Sequence, residues 1–179
     1  YHSVISALAA KTIAEMARNK VALHEGEDTY FVAGLLHDIG VFILDQHLPD
    51  VFAKVAAVCE KTGDPLHELE KQWIGFGHQE VGAEILKKWK QAGPLIDAVM
   101  YHHHPEDAPE ASKTFARVVY LAHGVATNVG SPLALEGLMG EVESEHLFAL
   151  GLCDEQLPEI MEKTEQSAEK SEVLLSILG

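Results

Sequence analysis

The sequence predicts an all-α fold, arranged as a single compact domain of about seven to nine helices. Apolar residues recur at the three- and four-residue spacing of amphipathic helices along most of the chain. Prolines and glycines stand where such helices would begin and end. No segment alternates between apolar and polar residues for long enough to predict a strand. With 179 residues, 47% of them hydrophobic, the chain is long enough to bury one ordinary core.

The first half of the chain carries the signals of four helices. Asp28 is a candidate cap for the second helix, whose apolar run continues into Ile39. Pro49 fits the first turn of the third helix and Gly63 its end, and residues 64–65 (DP) repeat the start signal for the fourth. The first helix is predicted by one apolar stripe: Val4, Ile5, Leu8, Ile13 and Met16.

The second half carries four more helix signals. A helix is predicted over Gln79–Lys90, and Pro94 begins another that runs to a histidine cluster. Ser112 is a candidate cap for a helix that Gly130 closes. After a glycine-rich connection, Asp154 begins a polar helix. The last helix has an apolar end that comprises Val173, Leu174, Leu175 and Ile177. We expect this end to pack on the core of the same domain; the alternative is that it docks a partner.

Charge and hydropathy exclude two classes of partner. The formal net charge of −15 opposes binding to phosphate backbones, so direct nucleic-acid binding is not expected. No run approaches the roughly 20 apolar residues that a membrane-spanning helix needs, so we expect no membrane contact and a cytoplasmic protein. Eleven histidines accompany only thirteen lysines and arginines, which makes a metal site worth considering.

Two adjacent polar residues, His37 and Asp38, interrupt an apolar run near the middle of the second predicted helix. If they were buried without partners, these side chains would cost several kcal/mol. One interpretation is that both are solvated or cap the helix. The other is a metal site, which the dipeptide alone supports weakly.

Further histidines fall at helix ends or inside apolar helices. His78 opens a predicted helix, residues 102–104 (HHH) end another, and His123 lies within a third. Several helices could therefore direct imidazole nitrogens at one point, although each histidine alone is more simply explained as a structural residue. The others lie in polar surroundings and are interpreted as surface residues: His24, His47, His67 and His146.

Four longer motifs contain or accompany these residues: residues 33–40 (AGLLHDIG), residues 77–86 (GHQEVGAEIL), Trp89 with Pro94, and residues 102–105 (HHHP). The order of the histidines and the aspartate resembles the HD superfamily of metal-dependent phosphohydrolases. The four motifs look specifically like HDOD domains, which are signalling output modules related to HD-GYP phosphodiesterases. The resemblance is close over residues 1–130, an HD-type core, and loose over residues 131–179, interpreted as a helical extension of the same domain.

The resemblance implies a histidine-rich metal centre. Asp38 would bridge two metals; His2, His37 and His123 would complete one site, and His78, His102 and His103 the other. His37 and Asp38 would be the catalytic residues of an active enzyme. Imidazole ligands favour one or two ions of iron, manganese, nickel or zinc over magnesium. Such a pair would activate water for attack on a phosphate ester.

Three positions depart from the hydrolase pattern. His123 stands where the phosphohydrolases have aspartate, which removes one carboxylate from the centre. Val41 stands where HD-GYP enzymes commonly have lysine, which removes a cation that could contact phosphate. The Gly-Tyr-Pro segment that gives HD-GYP its name is absent after His102. The resemblance therefore does not extend to cyclic-di-GMP hydrolysis.

Three functions remain open on this basis. The first is a bacterial signal-transduction domain of regulatory or scaffolding role with a metal centre, and the second is an active phosphohydrolase acting on a nucleotide or phosphate ester. The third is a helical interaction module without metal. The expected protein partners are other signalling proteins or domains of a longer chain, because the sequence begins with Tyr1 and not methionine. A phosphate-containing small molecule is a further expected ligand. Glu70 is either a surface residue or a residue that orients a ligand histidine.

Overall fold

The computed structural model describes residues 1–23, 26–129 and 143–178, and their side chains up to position 171. These residues form helices joined by short turns, and no strand occurs in the described ranges, so the all-α prediction is confirmed. The helices are α1 (His2–Ala17), α2 (Glu27–Leu36), α3 (Ile39–His47), α4 (Pro49–Thr62), α5 (Leu66–Trp73), α6 (His78–Lys88), α7 (Gly93–Met100), α8 (Glu110–Asn128), α9 (Ser144–Ala149) and α10 (Leu157–Leu178).

The second predicted helix is broken at the His-Asp dipeptide. Helix α2 ends at Leu36 and α3 begins at Ile39, so the predicted continuation into Ile39 was wrong. Apolar residues on both sides hide the break in the sequence, because they pack on different surfaces. The α2 side joins the main core, whereas Leu44 of α3 joins a smaller cluster with α4 and α5. The break places His37 and Asp38 at a junction between two helices.

Several helix boundaries follow the proline and glycine signals, and others do not. Pro49 occupies the first turn of α4, and Gly63 ends that helix with the left-handed φ of 75° that favours glycine. Ser112 does not cap α8, which begins two residues earlier; its Oγ instead donates a hydrogen bond to Asp97 at 2.6 Å. Asp154 opens a short 3-10 turn ahead of α10, and α9 lies in a stretch where no helix was predicted. Gly130, the predicted end of α8, lies outside the described residues.

The main core lies where α1, α2, α7 and α8 meet, and α9 and α10 add Leu147 and Ile160 to it. Helix α1 contacts α2, α8 and α10. Helix α1 is rich in fully buried alanines, whose small side chains let the neighbouring helices approach closely: Ala7, Ala9, Ala10, Ala14 and Ala17. At Gly34 of α2, an added Cβ would lie 2.5 Å from the carbonyl oxygen of Ser6.

The described residues contain no helix with the length and apolar character needed to cross a bilayer. The predicted apolar end of the last helix, Leu174 to Ile177, lies outside the described side chains.

Replacing Gly34 with alanine tests the close approach of α1 and α2. The added methyl meets backbone atoms of Ser6 and Ala7, which cannot rotate away, so we expect Gly34→Ala to lower the free energy of unfolding by about 1–3 kcal/mol. The matched control is Gly93→Ala, because nothing lies within 4 Å of a Cβ built at Gly93. Urea unfolding followed by circular dichroism measures both. Equal stability of the two variants would contradict this helix contact.

Candidate metal centre

The junction between α2 and α3 fixes the orientation of His37. Its Nδ1 donates a hydrogen bond to the carbonyl oxygen of Gly34 at 2.7 Å, which leaves Nε2 directed at Asp38. Nε2 lies 2.9 Å from Oδ2 of Asp38. His37 is fully buried and Asp38 is 5% exposed. The solvated interpretation of this dipeptide is therefore wrong.

Two histidines from other helices join this pair. His2, the first residue of α1, places Nε2 3.6 Å from Oδ2 of Asp38. His123, in the middle of α8, places Nδ1 3.0 Å from Nε2 of His37. Each of the four residues offers one ligand atom, and these atoms lie within 4.8 Å of one another. The structure thus brings together residues that are up to 121 positions apart.

A second group of histidines faces the other oxygen of Asp38. His78, the first residue of α6, and His102, just after α7, each place Nε2 3.5 Å from Oδ1 of Asp38. His103 lies 2.9 Å from His78, measured between the two Nε2 atoms. The ligand atoms of these three histidines also lie within 4.8 Å of one another. The Asp38 carboxylate therefore lies between two histidine groups, one on each oxygen.

The donor set fits a metal cation. A hydrogen bond from Nδ1 to an oxygen acceptor leaves the Nε2 of a neutral imidazole as a bare lone pair. His37, His78 and His102 all make such a bond, to Gly34, Glu70 and Val99 respectively. Their lone pairs then face a carboxylate, and two acceptors at these distances repel unless a proton or metal ion lies between them. Imidazole nitrogens with one carboxylate suit a divalent transition metal.

A comparison with known protein families agrees with the motifs found in the sequence. Residues 1–105, more than half of the chain, match the family model of the HDOD domain. The chain belongs to the HDOD family. The resemblance predicted from the sequence motifs is confirmed, and the roles of the seven side chains as metal ligands stay a prediction.

Relatives of this HDOD domain are longer proteins. It is 28% identical over 93 residues to an uncharacterised protein of Treponema pallidum (strain Nichols), covering 52% of this chain and 18% of the relative. A candidate signal transduction protein from Marinobacter aquaeolei VT8 has a TM-score of 0.77 at 20% identity, covering 97% of this chain and 38% of that one. A candidate phosphohydrolase from Shewanella amazonensis SB2B has a TM-score of 0.67 at 21% identity, covering 92% and 57%. The chain thus spans less than two thirds of each, and the structural likeness shows the shared fold.

Asp38 and the two histidine groups around it are called the HDOD centre below. Burial keeps most of its histidines uncharged. It lowers the pKa of His2 and of His102 to about 4, even though the charge of Asp38 raises both values. Burial also lowers the pKa of His123 and His103 well below the usual range. Neutral imidazole is the form that binds metal, so these four residues are in the ligating state at neutral pH.

For two residues, Asp38 and His78, neighbouring charges and hydrogen bonds outweigh the effect of burial on the pKa. Burial raises the pKa of Asp38, but without a metal, positive charge on His37 and hydrogen bonds donated by His102 and His37 outweigh it and hold that pKa well below its usual range. A metal cation in place of those protons would act on Asp38 in the same direction. Burial lowers the pKa of His78, but the hydrogen bond and charge of Glu70, with Asp38, raise it above its usual value. Asp38 therefore stays ionised as the negative centre of the site.

Glu70 of α5 holds His78 in place. Its Oε2 accepts two hydrogen bonds of 2.7 Å from His78, one from Nδ1 and one from the backbone N–H at the start of α6. Glu70 is fully buried, so its interpretation as a surface residue is wrong. A carboxylate on Nδ1 fixes the ring and increases the basicity of Nε2.

Two of the four histidines that the sequence placed on the surface are partly or fully buried. His67 of α5 is partly buried and stacks on His103, with ring centroids 4.0 Å apart and planes inclined by 16°. His146 of α9 is 3% exposed. Both were missed because their sequence neighbours are polar, and only tertiary packing buries them. His47 is exposed as predicted, and His24 lies outside the described residues.

The pKa values of His2 and His102 predict acid sensitivity of the metal-free domain. Their pKa near 4 lies below the 6.5 of the unfolded chain, so between these values the unfolded state binds more protons and stability falls as pH falls. From these two residues we expect a loss on the order of 5 kcal/mol between pH 7 and 4.5 in the presence of a chelator. The raised pKa of His78 acts in the opposite direction, with stability lost as pH rises above 6.5.

Urea unfolding at stepped pH measures this dependence. The variant His102→Gln should flatten the slope between pH 6.5 and 4.5, whereas His47→Gln, on the exposed end of α3, should keep it. A slope that is identical in all three proteins would mean that buried histidines do not control acid stability.

Proposed function

We propose that this HDOD domain is a signal-transduction module whose histidine-rich centre holds one or two divalent transition metals in a regulatory role. The observation that carries the proposal is the placement of Asp38, with one carboxylate oxygen facing each histidine group. One buried carboxylate and six imidazoles converge there from five regions of the chain. The Marinobacter neighbour, a candidate signal transduction protein, supports the signalling role.

The two groups define the proposed ligands. His2, His37 and His123 would hold one ion with Oδ2 of Asp38, and His78, His102 and His103 would hold the other with Oδ1. Iron, manganese, nickel or zinc suits such nitrogen-rich sites better than magnesium. In a hydrolase, such ions would supply Lewis acidity toward a phosphate oxygen. The chain itself supplies the buried carboxylate and the fixed ring orientations.

The second candidate function is metal-dependent phosphohydrolysis, with His37 and Asp38 as the catalytic residues. The Shewanella neighbour, a candidate phosphohydrolase, favours it. Two features favour the regulatory role. His123 adds no negative charge, so the centre has one carboxylate to offset two divalent cations. Val41 packs against the smaller core and provides no cation for a substrate phosphate.

The wider context belongs to the same proposal. Because the chain spans only part of its relatives, the proposed partners are domains of a longer chain or other signalling proteins, with a phosphate-containing small ligand in addition. We propose a cytoplasmic location. We also propose that residues 131–179 extend the core of residues 1–130, which the packing of Ala168 of α10 against Ile5 and Ala126 supports.

Metal content and activity separate the candidates. Purified protein should contain one or two transition-metal ions per chain by elemental analysis, and Asp38→Asn should lose at least half of them because both groups share this carboxylate. His47→Gln, an exposed histidine, is the control and should keep them all. Retention of all metal in Asp38→Asn would exclude the proposed centre.

Turnover of a phosphodiester with manganese or iron, abolished in His37→Ala, would favour the hydrolase over the regulatory role.

Glu70 should tune metal affinity. Glu70→Gln keeps the side-chain shape but removes the charge that supports His78, so we expect metal affinity to fall roughly 10- to 100-fold with the fold intact. Glu68→Gln, an exposed glutamate on the same helix, should leave the affinity unchanged. Competition with a chromophoric chelator measures both values. Equal affinities would show that Glu70 only anchors the start of α6.

A further inference from the structure

A second cluster of titratable side chains lies apart from the HDOD centre. It comprises Glu106, Glu143, Glu145 and His146, here called the α9 cluster. Glu106 belongs to the 3-10 turn Pro105–Asp107, and the other three residues lie at the start of α9. Glu106, Glu145 and His146 each offer one ligand atom, and these atoms lie within 4.8 Å of one another.

His146 is the buried member of the α9 cluster. It is 3% exposed, and the ring of Tyr120 on α8 packs edge-on against it at a centroid distance of 4.5 Å. Its Nε2 lies 3.3 Å from Oε2 of Glu143 and 3.9 Å from Oε1 of Glu145. Its Nδ1 is buried, makes no hydrogen bond, and points at Oε1 of Glu106 from 3.6 Å. A buried nitrogen in this position lacks the partner that such atoms normally have.

The charges of the α9 cluster suit a divalent cation. Arg117 donates two hydrogen bonds to Oε1 of Glu106, at 2.8 and 3.1 Å, and so fixes that carboxylate. Lys113 lies closer to Glu110 than to Glu106. Three carboxylates and one guanidinium therefore surround the imidazole. The remaining negative charge is what a bound divalent cation would neutralise.

We propose that the α9 cluster is a second metal site, taking a zinc-class divalent ion through His146 and the carboxylates of Glu106 and Glu145, with Glu143 adding negative charge beside it. One imidazole with carboxylates is a donor set that zinc accepts, whereas magnesium and calcium prefer oxygen alone. The ion would tie α9 to the turn that follows the 102–104 histidines. It would also lie beside α8, which carries His123, so the site would clamp the C-terminal helices onto the HDOD core.

Zinc binding to the full chain tests this site. We compare wild type with Glu143→Gln/Glu145→Gln, which changes two exposed side chains and leaves the buried ring in place. The control is Glu165→Gln/Glu169→Gln, which removes the same charge from exposed positions of α10. Zinc per chain is measured by elemental analysis after dialysis against buffered free zinc, and thermal unfolding with and without zinc is a second readout.

The double variant should bind one zinc fewer per chain at limiting free zinc. Losing a residue that only hydrogen-bonds a ligand already costs roughly tenfold in affinity, so we expect at least that loss here. The zinc-dependent rise in melting temperature should shrink in the double variant and persist in the control. His146→Gln, verified as folded by circular dichroism, should show the same loss.

Asp38→Asn separates this site from the HDOD centre. That variant should keep the zinc that depends on Glu143 and Glu145, even if it loses every ion at Asp38. Zinc affinity and stoichiometry equal to wild type in Glu143→Gln/Glu145→Gln would overturn the proposal, and the α9 cluster would then be an ion-pair network. Loss of the same zinc in Asp38→Asn would also overturn it, because that ion would belong to the HDOD centre.

Discussion

The burial of the ionised Asp38 carboxylate is the constraint on which the rest of the structure depends. An ionised carboxylate without partners in a protein interior carries a desolvation cost of several kcal/mol, so the fold has to surround it with compensating groups. Histidines from α1, α6, α8 and the residues after α7 converge on its two oxygens. Because most of these rings are themselves held neutral by burial, they contribute nitrogen lone pairs and little positive charge. In the proposed centre, a bound cation would add the positive charge that these rings lack.

The backbone around Asp38 provides the geometry that this convergence needs. The break between α2 and α3 turns His37 and Asp38 inward together, which a continuous helix would not do, because adjacent residues on a helix point about 100° apart. Gly40 then allows α3 to approach α6 so closely that a Cβ there would collide with the carbonyl oxygen of His78. Glu70 anchors the first residue of α6 from the other side. The site is therefore assembled from helix termini and one junction, where short backbone segments can be fixed by a few hydrogen bonds.

The sequence predicts the features that depend on local signals. Helical periodicity and the pair Pro49 and Gly63 predict helices whose ends the structure confirms, and the order of histidine motifs predicts the family. Features that depend on tertiary packing could not be predicted in this way. Apolar residues flank the α2–α3 junction on both sides, so periodicity continues across a real break. His67 and His146 have polar sequence neighbours, and only contacts with His103 and Tyr120 bury them.

In the proposed regulatory role, the arrangement of the centre would let a metal ion serve signalling without catalysing a reaction. Ligands that lie on one helix report only on that helix, whereas the candidate ligands here belong to elements spread over residues 2 to 123. A cation bound among them would draw the starts of α1 and α6 and the middle of α8 toward one point, and its loss would leave lone pairs facing a carboxylate. The binding free energy of the ion would thus be coupled to the relative positions of these helices. Since α1 also contacts α10, a change at the centre has a direct packing route to the C-terminal helix. His123 leaves the centre with one carboxylate to offset the charge of the bound ions, which favours the proposed role as a helix clamp, because a clamp needs only donors on separate helices.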